Sequence, residues 1–138
     1  MLVALALAGC GSTSLSNSQL ESQVSQICTA TEMRTNRIPT PASPAASVTF
    51  LERGATALTP ELTALKAVHP PSDVADVYTA TVGSLERKVR ELRGTAHEIA
   101  RGADPVKALQ HLQHRLRPLE SQENDGWQAL QLTACMSR

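Results

Sequence analysis

The sequence predicts an all-α fold, an up-down-up-down four-helix bundle. Three observations carry that expectation. Apolar residues recur at three- and four-residue spacing along four stretches. Short connections bearing proline or glycine separate them. The chain of 138 residues holds one Trp, one Tyr and one Phe against 19 Ala and 17 Leu. Strands favour aromatic and β-branched residues, whereas Ala and Leu are among the strongest helix formers, so a sandwich or barrel is disfavoured. Each helix alone would be marginal, and burying a shared apolar stripe supplies most of the stability. The length fits one domain, and no internal repeat or second domain is visible.

The first helix is expected from Ser18, an N-cap with Glu21 three residues on as a capping box. Leu20, Val24, Ile27, Thr31 and Ile38 fall on one helical face, and Pro39, Pro41 and Pro44 then break the chain. The second helix opens with Ser43 as N-cap and Pro44 at its first position, and carries Val48, Leu51, Ala55, Leu58, Leu62 and Leu65. Pro60 lies within it but projects away from the stripe. It implies either a kink on the solvent face or a break into two helices with Thr59 as a second cap.

After His69-Pro70-Pro71, Ser72 caps the third helix, with Asp73 and Asp76 complementing its positive end. Val74, Tyr78, Thr81, Leu85, Val89, Leu92, Ala96 and Ile99 form the cleanest stripe in the chain. Gly83 and Gly94 project outward, each costing up to about 1 kcal/mol of helix stability. Gly102 ends this helix, and Asp104 and Pro105 open the fourth as cap and first residue. Its stripe is Leu109, Leu112, Leu116 and Leu119, with Pro118 facing outward. The pattern weakens at Asn124-Asp125-Gly126, a place to fray or bend, before Trp127 and Leu130 return to the inner face.

Residues 2–9 form a short apolar run that ends at Cys10. The run is far short of the roughly 20 residues needed to cross a bilayer but matches the core of a secretory signal. The usual basic segment before it is missing, so the reading expects translation to begin further upstream, with a weak signal as the alternative. Leu7-Ala8-Gly9-Cys10, followed by the polar stretch Gly11 to Ser18, resembles the bacterial lipobox. That resemblance implies cleavage before Cys10, which needs small residues at Ala8 and Gly9, and acylation of the Cys10 thiol. Residues 1–9 would then be a signal peptide, 10–18 the lipidated cysteine with a flexible tether, and 19–138 the bundle. The tether would reach about 15 Å. Stable attachment would need several acyl chains, since one anchors only marginally. A soluble secreted protein cut after Ala6-Leu7-Ala8 and an internal helix that happens to hold a cysteine are the rival readings.

Three cysteines is an odd number. If Cys10 carries lipid, Cys28 and Cys135 remain as a pair in an oxidising compartment, bridging the first helix to the C-terminal tail. Such a bridge would constrain the unfolded chain by about 4–5 kcal/mol in loop-entropy terms. The alternative is two separate buried thiols. No Cys-x-x-Cys exists, which argues against redox, zinc or haem-attachment chemistry.

Thirteen Lys and Arg balance thirteen Asp and Glu, leaving no basic surplus for nucleic acid. His111 and His114 have a spacing that can bind metal, but both lie off the apolar stripe, as does His97. They are weak metal candidates beside the plainer reading of solvated surface. Two charged residues fall near the inward face, Arg34 and Glu123, and are expected to meet as an ion pair or in a hydrogen-bond network at the rim of the bundle. The alternative turns both toward water. Arg87, Lys88, Arg90 and Arg93 alternate with Glu86 and Glu91 in the manner of a solvated face. Residues 81–117 nevertheless hold eight bases against four acids, a bias that would suit anionic lipid or wall polymer. Signatures of serine hydrolases, zinc proteases and phosphate-binding loops are lacking.

The early helical Cys28, the segment Trp127, Leu130, Cys135 and the helix start from Asp104 to Leu109 resemble those of small, functionally uncharacterised bacterial lipoproteins. The resemblance implies a helical extracytoplasmic domain and no known activity. The first expectation for function is a bundle with no cofactor and no enzymatic activity, held at the cell membrane by lipid on Cys10, that binds an envelope protein or wall component through its exposed helices. The second expectation is a bundle that binds a small molecule or metal between its helices.

Overall fold

The computed structural model describes residues 14–136, so the expected signal peptide 1–9 and lipidated Cys10 lie outside the described residues. Four α-helices, α1 (Asn17–Thr35), α2 (Ser47–Ala67), α3 (Ala75–Ala100) and α4 (Pro105–Ala129), follow one another among those residues, with no strand. Short 3-10 turns at Pro44–Ala46 and Thr133–Cys135 complete the chain. Consecutive helices pack side by side, α3 against α4 most extensively, and the last 3-10 turn packs on α1. The up-down-up-down bundle and the disulfide between α1 and the C-terminal tail are both present.

The chain enters α1 two residues earlier than the Ser18–Glu21 pattern suggests. Ser16 is the N-cap. Its hydroxyl accepts from the Gln19 amide at 3.3 Å, and the Gln19 side chain accepts from the Ser16 amide at 2.9 Å. Both serines fit a capping box. The earlier one also puts Leu15 and Leu20 at the two positions of a hydrophobic staple, and both join the core. Leu15 is further tied by its amide to the His69 carbonyl at 3.1 Å, so the ordered domain begins before residue 19. At its other end α1 stops at Thr35, short of Ile38.

Pro44 opens a 3-10 turn, and α2 proper starts at Ser47. Pro60 does not break α2. Its ring is exposed, and the Thr59 hydroxyl donates to the Ala55 carbonyl at 2.7 Å within a continuous helix. Pro118 sits inside continuous α4 in the same way. Residues 72–74 form a turn, so α3 begins at Ala75 with Asp76, not Asp73, in its first turn.

Gly102 adopts a φ of 102° just after α3. The Ala103 amide reaches the Glu98 carbonyl and the Gly102 amide that of Ile99, the paired bonds of a Schellman cap. Asp104 accepts from the Lys107 amide at 2.9 Å, with Pro105 first in α4 as expected. There is no fraying at residues 124–126; α4 runs through to Ala129. A second Schellman cap follows it at Gln131, which takes a left-handed φ of 59°. This reversal turns the tail back toward α1, where Cys135 bonds Cys28 across a Cα–Cα distance of 5.2 Å.

The core has two parts. At the end that holds the α2–α3 connection, Leu20, Val24, Leu65, Tyr78, Leu85, Trp127 and Leu132 surround the disulfide. At the opposite end Leu51, Ala96 and Leu112 pack with Val48, Leu92, Ile99, Leu109 and Leu116. All of these except Leu132 belong to stripes visible in the sequence.

Candidate functional site

Three charged side chains are buried in the interior: Glu61 on α2, Lys88 on α3 and Glu123 on α4, exposed by 0%, 6% and 3%. Lys88 Nζ lies 2.6 Å from Glu123 Oε2. The indole of Trp127 donates to Glu123 Oε1 at 3.4 Å, one helical turn further along α4. Trp127 in turn meets the Tyr78 ring edge-on, with centroids 6.1 Å apart.

Register places Glu61 about one helical turn from the level of Lys88. The α2–α3 bonds Lys66–Glu86 and Thr59–Arg93 bracket Glu61 on one helix and Lys88 on the other. On its α1 side Glu61 Oε1 stands 3.6 Å from Cys28 Sγ. The bridged sulfur has no hydrogen to give, so this is a contact between a carboxyl and the disulfide. The interior of the bundle therefore carries a charged layer about one helical turn deep: the Lys88–Glu123 pair on α3 and α4, and Glu61 on α2 against the Cys28–Cys135 bond.

The expected ion pair between Arg34 and Glu123 does not form. Arg34 donates from NH2 to the Thr31 hydroxyl at 2.7 Å and from Nε to the Ala57 carbonyl at 3.4 Å, which docks it between α1 and α2. Glu123 points inward as expected, but its cation comes from the adjacent α3. The levels of Arg34 and Glu123 are not decisive, because α4 packs chiefly on α3 and a lysine already waits there.

Glu61 and Lys88 were missed. The charges around Lys88 point to a solvated face, whereas the side chain is buried. Yet Glu61 stands three residues after Leu58 and four before Leu65, and Lys88 three after Leu85 and four before Leu92. Helical spacing alone puts both on the apolar stripe, a signal that was present and masked by their charge.

His111 and His114 are exposed on α4, and no cluster of three metal-ligating side chains occurs among the described residues. Burial pushes the Tyr78 hydroxyl well above the ordinary phenol range, and it donates to the Leu65 carbonyl at 2.8 Å. On the surface, the hydrogen bond from Lys66 holds the Glu86 carboxyl below its usual range. No helix among the described residues is long and apolar enough to cross a membrane.

The surface grooves on either side of α3 are lined by other residues, so the charged layer meets neither of them. Such a layer can position helices and hold a disulfide. It does not itself present a nucleophile or an acid to a substrate in these grooves. No family model matches the chain, and no curated protein or solved structure matches it either.

Proposed function

We propose that the chain is a lipoprotein of the cell envelope, anchored by lipid on Cys10. Its helical domain would work outside the cytoplasm by binding a protein or wall component through its outer helix faces, without catalysis. The observation that carries this reading is the Cys28–Cys135 bond across 107 residues of sequence. Structural disulfides belong chiefly to oxidising compartments, and this one leaves Cys10 as the one cysteine outside the pair. The resemblance of Leu7-Ala8-Gly9-Cys10 to the lipobox then gives that cysteine a role.

The geometry suits such an anchor. Cys10 precedes the Ser16 cap by six residues, and Leu15 is tied to His69 at the end of the bundle where α2 turns into α3. A lipid there would leave the long faces of α3 and α4 free to meet a partner. Replacing Cys10→Ser and fractionating cells tests this directly. The reading expects the native chain in the membrane fraction and the variant in the soluble extracytoplasmic fraction. Equal distribution of the two would remove the anchor from the account.

A further inference from the structure

We propose that the furrow between α3 and α4 is a binding site for a linear, phosphate-bearing polyanion of the envelope. Two hollows make up this furrow and share Arg87. One, of about 470 Å³, is flanked by Arg87 and Arg90 from α3 and by His114 and Arg115 from α4. The other, of about 350 Å³, continues past Gln122 to Val77, Ala80 and Gly126. From Val77 to Arg90 the furrow follows α3 for about 20 Å, at the helical rise per residue. Pro118, Ala80 and Gly126 keep its walls low, which leaves room for an extended chain.

Of the furrow's arginines, Arg87 is held by neutral groups alone, Arg90 stands loosely beside a carboxylate already engaged by a lysine, and Arg115 is ion-paired. Arg87 NH2 donates to the Ser84 hydroxyl at 3.1 Å and to Gln122 Oε1 at 2.9 Å, two neutral acceptors. Its guanidinium is thus oriented without losing its charge. Arg90 is 63% exposed and stands 3.8 Å from Glu86, which Lys66 already holds at 2.6 Å. Arg115 is fixed by Glu91 and by the Thr95 hydroxyl. Glu91 is the one acid of the basic hollow, and Asp125 lies at the far end of the other. Planar, pre-oriented guanidinium groups match phosphate oxygens in geometry as well as sign.

A concave furrow between two helices admits a strand more readily than the flat surface of a bilayer. Arg90 also lies twelve residues along α3 from Tyr78, about 18 Å from the end where Leu15 enters. This inference deepens the proposed function and rests on it only for the envelope origin of the polymer.

The test titrates the full chain carrying Cys10→Ser, so that binding is read without an anchor. The probes are short-chain inorganic polyphosphate and, separately, phosphatidylcholine vesicles with and without phosphatidylglycerol. Calorimetry should show salt-sensitive binding to polyphosphate. The pair Arg87→Gln and Arg90→Gln should weaken it at least about tenfold, as expected for charge-assisted bonds. It should also lower the log–log salt slope by roughly one per arginine. Ala80→Glu, at an exposed furrow position, should weaken binding as well, and Arg53→Gln on α2 should leave it unchanged. The proposal is overturned by absence of polyphosphate binding, by equal binding of the furrow variants, by an equal effect of Arg53→Gln, or by preference for the anionic vesicles. None of those results bears on lipid at Cys10.

Discussion

Lys88 and Glu123 face each other across the α3–α4 seam at 2.6 Å, with side chains only 8% and 4% exposed. Removing one partner of a buried pair leaves the other as an uncompensated charge, a loss of about 3–5 kcal/mol. Lys88→Ala should therefore lower the urea midpoint sharply. The pair Lys88→Met with Glu123→Gln keeps an acceptor for the Trp127 indole and removes both charges. It should recover at least half of the loss. A double variant as unstable as Lys88→Ala would show that the ion pair itself, not the orphaned charge, supplies the stability.

Two glycines should respond in opposite directions. At Gly94 an added methyl meets nothing, so Gly94→Ala should stabilise α3 by about 1 kcal/mol. At Gly126 the methyl would run into the Thr81 side chain, which is itself buried and donates to the Val77 carbonyl at 2.7 Å. Gly126→Ala should destabilise by about 1–3 kcal/mol through overpacking, and Thr81→Ser alongside it should relieve only part of the clash. Chemical denaturation of the two single variants side by side checks the contrast.

The single tyrosine makes alkaline behaviour easy to follow. Burial raises the folded-state value for Tyr78 above the ordinary 10.0. A group raised on folding gives stability that is fully present below its unfolded value and is lost as pH climbs through the window above it. Stability should thus begin to fall above pH about 10, where the unfolded chain ionises first. Phenolate absorbance should appear together with loss of helix. In Tyr78→Phe this part of the pH dependence should vanish. Phenolate appearing at pH about 10 with the helices intact would contradict the burial argument.

The disulfide closes a loop that spans nearly the whole domain. Reduction, or Cys28→Ala with Cys135→Ala, should lower unfolding stability by about 4–5 kcal/mol at most, the loop-entropy value for this length. The helices should persist in the absence of denaturant, because the stripes of α2, α3 and α4 pack without the tail. Circular dichroism and urea melts with and without reductant separate the two effects.

The fold was legible wherever apolar spacing and capping chemistry agreed. Asp104-Pro105 marks the start of α4, and Gly102 the end of α3, because each residue has one local job that its chemistry suits. The start of α1 is ambiguous in the sequence because Ser16 and Ser18 both satisfy the cap pattern, and only tertiary contacts of Leu15 choose between them. The stop of α4 was obscured because the left-handed position falls on Gln131 rather than on a glycine. The inward Glu123 was found by its position on the stripe. Its partner Lys88 is less legible, because its charge and its basic neighbours mask a stripe position, and charge masks Glu61 in the same way.

The envelope account is tested most directly by intact mass of the protein purified from its native membrane, before and after reduction. It predicts a chain beginning at Cys10 with acyl chains on that residue, and a mass increase equal to two hydrogens when the Cys28–Cys135 bond is opened. A mature chain whose Cys10 is unmodified, or one that gains no hydrogens on reduction, would contradict it.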